Sequence, residues 1–140
     1  MERSSREVSD HIESLPDDVR SDIVILDGLL AAAFAGEERV LWEGKFWGGT
    51  DQEIIGYGRL EQPRPDGSVV DWFKVGLAIQ KDHLSVYVNA AEDGRYLGQG
   101  YGDRLGKVKL GAASIGFKSV ESLDLQVFEE MIERARDVMA

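Results

Sequence analysis

At 140 residues and 15.5 kDa, with 43% apolar and 30% charged residues, the chain can bury one continuous core and is too apolar for general disorder. It has no cysteine, which excludes disulfides and thiolate metal sites and suits a reducing cytoplasm. A net charge of -10 argues against a nucleic-acid partner, because affinity for a phosphate backbone comes largely from Lys and Arg.

The N-terminal MERSSREVSDHIESL mixes both charge signs and has no apolar h-region, so it does not read as a signal peptide. Val8, Ile12 and Leu15 recur at helical spacing, predicting a short amphipathic helix that ends before Pro16. Pro16 is expected at the first position of a second helix, with Asp17 and Asp18 in the dipole-favoured first turn. Its buried face is Val19, Ile23, Leu26, Leu30 and Phe34, and Gly36 is the expected C-terminal cap. The longest apolar run, Leu29 to Ala35, falls far short of the roughly 20 residues of a membrane span.

From Arg39 the period changes to two. Strands are predicted near 39–46, 53–61, 69–79, 84–89 and 113–119, antiparallel and joined by turns such as Pro63 to Gly67. Gln80 to His83 must reverse the chain, so Lys81, Asp82 and His83 read as a solvated hairpin tip. Alternation sets Trp72 and Phe73 on opposite faces, so both cannot be buried against the helices. Residues 91 to 112 are glycine-rich and predict a loop with at most one helical turn. The last helix buries Leu125, Phe128, Met131, Ile132, Ala135 and Val138, with Asp124 as N-cap and Glu130 and Arg134 as an i,i+4 pair. These elements predict a single two-layer α+β domain over 1–140. Its antiparallel sheet has about five strands, with N- and C-terminal helices packed on one face.

The segments FWGG (46–49), IIGYG (54–58), DWFKVGLAIQK (71–81), LSVYV (84–88), LGKVKLG (105–111) and LDLQVFEEMI (123–132) carry a resemblance in their order and spacing. Together they resemble the YdhG-like family of bacterial domains of unknown function, over nearly the whole chain. The resemblance implies a small cytoplasmic α+β domain with one sheet face covered by helices, and no established activity. A distant frataxin-like iron chaperone in the broader superfamily brings in iron handling as an alternative. The chain departs from the family at Ile79 and Gln80, where a typical member has proline and arginine. It departs again at LEQPRPDGSVV, where an aromatic-rich segment is usual, so a basic and aromatic surface is reduced here.

Three residue sets are candidate sites. Asp17, Asp18 and Asp22 offer carboxylates on the second helix to a hard cation, against the simpler reading of a solvated acidic helix face. Lys107, Lys109 and Lys118 lie in a stretch without acids, suited to an anion or to blunting an edge strand. It is no Walker A loop, since Val108 follows Lys107. Of the aromatic residues, Trp47 and Trp72 are the ones expected to project from the uncovered sheet face, while core packing claims at least half of the rings.

No nucleophile motif is visible, and His11 and His83 are distant in sequence. The leading expectation is therefore a non-enzymatic binding module with no cofactor, holding a small anionic ligand or a protein on its uncovered sheet face. A homodimer through that face would satisfy the same aromatics.

Overall fold

The computed structural model describes residues 1–45 and 51–140. Seven strands form one antiparallel sheet in the order β1 (Glu2–Arg3), β2 (Arg39–Lys45), β3 (Asp51–Pro63), β4 (Val69–Ile79), β5 (Leu84–Val88), β9 (Ser114–Phe117), β8 (Lys109–Leu110). A two-stranded ribbon, β6 (Ala91–Glu92) and β7 (Arg95–Tyr96), stands apart from it. The five long expected strands are β2, β3, β4, β5 and β9. The additions are two-residue strands, too short for an alternation to show in sequence.

The helices are α1 (Val8–Glu13), α2 (Asp17–Ala33), α3 (Leu97–Tyr101) and α4 (Leu125–Val138). Their buried residues pack with Leu41, Ile55, Tyr57, Val75, Leu77, Val86 and Val88 into one large core on one side of the sheet. Each side chain of this size buried completely contributes about 1.5–3 kcal/mol before entropy is subtracted. Among the described residues no helix is long and apolar enough to cross a membrane.

Helix ends follow backbone chemistry. Pro16 sits one position before α2 rather than inside it, with extended backbone (ψ 147°), and its carbonyl accepts from Arg20 N at 2.9 Å. Asp124 caps α4 as expected, its carboxylate accepting from the N–H groups of Gln126 (3.1 Å) and Val127 (3.2 Å). The expected Glu130–Arg134 pair does not form. Arg134 binds Glu92 of the ribbon and Glu130 binds Arg104 at 3.2 Å, because partners across the fold lie within reach of both side chains.

A second, smaller core occupies the other side of the sheet and draws only on the strands and the N-terminus. It comprises Trp42, Ile54, Phe73 and Ala78, with Trp72 and Tyr87 packed against it. Trp72 and Phe73 are not on opposite faces. Their rings stack at 4.5 Å on the helix-free side, because the strict alternation of β4 fails at Lys74. Lys74 lies opposite Gly58, whose φ of +76° lets β3 bend there, while Glu37 holds the Lys74 ammonium at 2.7 Å. Phe73 then lies flat over Gly76, where an added Cβ would come within 2.5 Å of the ring.

Candidate functional site

The helix-free face changes character across its width. The side bearing β2, β3 and β4 is aromatic and closed. Arg3 lies over Trp42 at 4.7 Å and also binds Glu38 and Asp71, covering that end. Toward β5, β9 and β8 the floor becomes small and polar. One row across the strands reads Ala78, Ser85, Gly116, Lys109, and the next reads Gly76, Tyr87, Ser114.

Above this floor lies a groove of about 610 Å³ walled by Lys107, Lys109 and Lys118, with Asp82, His83, Ser85 and Ser114. Local structure explains the convergence. The Leu105 carbonyl accepts from Asp124 N at 2.8 Å, and Lys107 N donates to the Ser122 carbonyl at 2.9 Å, pinning the loop to the start of α4. Between them Gly106 has φ +106°, and a Cβ there would fall 2.3 Å from the Ser122 oxygen. The chain then turns at Gly111, whose N–H donates to Ser114 O at 2.9 Å, so β8 folds back on β9 and sets Lys109 beside Gly116.

Lys81, Asp82 and His83 do turn the chain, closed by Gln80 N donating to His83 O at 2.7 Å. They are not only a turn. The His83 ring leans over Gly116, where an added Cβ would lie 3.2 Å from its Cδ2, and so it forms one wall of the groove.

Pairing separates the cations. Eight of the ten arginines hold a carboxylate, whereas of the six lysines only Lys74 does so among the described residues. Lys107, Lys109 and Lys118 are exposed and have no ion-pair partner among those residues.

Trp72 walls an adjoining cavity of about 340 Å³, together with Tyr87, Asn89, Tyr96 and Ser114. Trp47 lies outside the described residues, as does the rest of 46–50. Thus the structure brings together the three lysines and, next to them, Trp72. Alternation could have found Ser85, since Leu84, Val86 and Val88 on one face imply Ser85 and Tyr87 on the other. Nothing local in the sequence marks Ser114 or His83, which depend on the pairing of β9 with β5.

The three candidate aspartates of α2, Asp17, Asp18 and Asp22, have separate tasks. Asp17 binds Arg20, and Asp22 accepts from Val120 N at 3.2 Å, while Asp18 lines a cleft at one end of the sheet. Among the described residues no three His, Asp or Glu side chains converge as metal ligands.

That end cleft, about 1040 Å³, brings His11 and His83 into one lining. Its charges are mixed: carboxylates of Asp18, Asp51 and Asp82 face Lys81 and Lys118. The buried His11 Nδ1 has no hydrogen-bond partner among the described residues and stands 3.5 Å from Glu53, and burial lowers its pKa. Arg6 binds both Glu53 and Glu43, so those two carboxylates share one guanidinium.

No protein-family model, curated protein or solved structure matches this chain.

Proposed function

We propose that this protein binds a small anionic ligand, without catalysing a reaction on it, in the lysine groove of its helix-free sheet face. The observation that carries this reading is the meeting of Lys107, Lys109 and Lys118, with no ion-pair partner among the described residues, in a molecule of net charge -10. Elsewhere the chain is rich enough in carboxylates to neutralise nearly every arginine. Three ammonium groups beside two hydroxyls outnumber the one carboxylate of the lining, Asp82, and leave a concave site of net positive charge. Phosphate oxygens would accept charge-assisted hydrogen bonds there. The resemblance to the YdhG-like family adds no activity to this reading, and its iron alternative finds no convergent ligand set among the described residues.

Calorimetry with inorganic phosphate and pyrophosphate tests it. Pyrophosphate should bind the wild-type chain, and the combined Lys107→Gln, Lys109→Gln, Lys118→Gln variant should bind about tenfold or more weakly, with an unchanged unfolding midpoint. The reading fails if the wild-type chain gives no heat with either anion, or if the triple variant keeps full affinity. Heat with ferrous iron alone would favour metal handling instead.

A further inference from the structure

The lysine groove is not isolated. Ser114 belongs both to it and to the cavity walled by Trp72, Tyr87 and Tyr96, so the two hollows adjoin at that residue on the open sheet face. Resting on the anion-binding reading above, we infer that the ligand is a planar ring joined to a phosphate, with a mononucleotide as the fitting class.

The aromatic cavity has a shape and chemistry the lysine groove lacks. Trp72 is half-buried and held in place by its stack on Phe73 at 4.5 Å and its contact with Trp42 at 5.5 Å. Tyr87 comes from β5, its hydroxyl accepting from Gln80 Nε2 at 3.1 Å, and Tyr96 from the ribbon. Ala112 and Ala113 leave the remaining wall low. Ring faces already fixed by their own packing can receive a second ring at small entropic cost. Polar groups stand at the margin: Gln62 on one side and Asn89 on the other, the Asn89 amide fixed by donation to the Phe73 carbonyl at 2.8 Å. Such groups suit the hydrogen-bonding edge of a base better than a plain hydrocarbon.

Spacing supports the junction. Ser114, at the aromatic end, and Gly116, beside Lys109, are two residues apart on one face of β9, which is about 7 Å. One linker of sugar size joins a ring to its phosphate over a comparable span. Net charge argues against a polymer, because three lysines neutralise one or two phosphates and the rest of the chain repels more.

Calorimetry with four probes separates this inference from the reading it rests on: inorganic phosphate, glycerol 1-phosphate, phenyl phosphate and adenosine monophosphate. Phenyl phosphate and adenosine monophosphate should bind about tenfold more tightly than glycerol 1-phosphate, the margin expected of one ring stacked on an aromatic side chain. Trp72→Ala should erase that margin while leaving glycerol 1-phosphate affinity unchanged. Because Trp72 also supports Phe73, Tyr96→Ala on the exposed ribbon provides a second variant, which should weaken the ring-bearing probes several-fold and spare glycerol 1-phosphate. If all four probes bind equally, the ring inference is overturned and the anion reading stands. If none binds, the anion reading itself falls.

Discussion

A histidine held almost out of water, only 6% exposed, must give up either its charge or its stability, and His11 gives up its charge. Burial is the largest influence and lowers its pKa below the usual 6.5, Arg6 adds to the lowering, and Glu53 and Glu43 oppose it. In the unfolded chain the same imidazole takes a proton as pH falls through about 6.5, whereas in the fold it remains neutral to lower pH. Its contribution to stability is therefore fully present above that value and is lost as pH falls toward the depressed folded pKa. Urea titrations at about pH 7.5 and about pH 5.5 should show the wild-type chain less stable at the lower pH, and His11→Gln should flatten that slope. An unchanged slope in the variant would show that other groups carry the pH dependence. Tyr57 obeys the same rule of burial, which pushes its phenol well above the usual range, with the Asp27 charge adding to the effect. Its hydroxyl donates to Asp27 at 2.6 Å, so the buried oxygen is satisfied, and Arg39 also holds that carboxylate.

Among the elements, the segment from Leu105 to Phe117 decides whether the lysines form a site. Gly106→Ala forces a Cβ against the Ser122 carbonyl and a side chain into positive φ, a strain of about 1–3 kcal/mol that backbone on both sides prevents from relaxing. The expected result is a lower unfolding midpoint and, in the fraction still folded, weaker pyrophosphate binding from displaced Lys107 and Lys109. Full affinity in that variant would mean that the loop's position does not matter to the groove. The long elements were legible because each has a periodic apolar face: β2 to β5, α2 and α4 fall close to where alternation and helical spacing set them. Phe73 was misread because alternation assumes an unbroken pleat, and a positive-φ glycine on the neighbouring strand bends it. The lysines were recognisable as a group lacking acids, but not as a groove. Their meeting depends on β8 folding onto β9 and β9 pairing with β5, contacts between distant positions that no local pattern encodes. Lys109 on the outermost strand also blunts edge pairing, so its two roles are compatible.

At the scale of the molecule, charge is divided between layers. Helices α2 and α4 carry eight acids against three bases, while the stretch from Leu105 to Lys118 carries Lys107, Lys109 and Lys118 and no acid. Sequence already placed the acid excess at the two ends, with ten acids and three bases in residues 1 to 38 and six acids and two bases in residues 120 to 140. Folding brings those ends together, since α2 and α4 pack on one side of the sheet, and leaves the lysines at its far margin. The two layers should then answer salt in opposite directions. Raising NaCl from about 0.01 M to about 0.15 M shortens the screening length from about 30 Å to about 8 Å. Repulsion within the acidic layer weakens, so the urea midpoint should rise, while attraction of an anion to the lysines weakens, so pyrophosphate affinity should fall. Parallel unfolding and calorimetric series over that range check this. A midpoint and an affinity that move in the same direction would show that the acidic layer and the lysine groove do not act as separate electrostatic bodies.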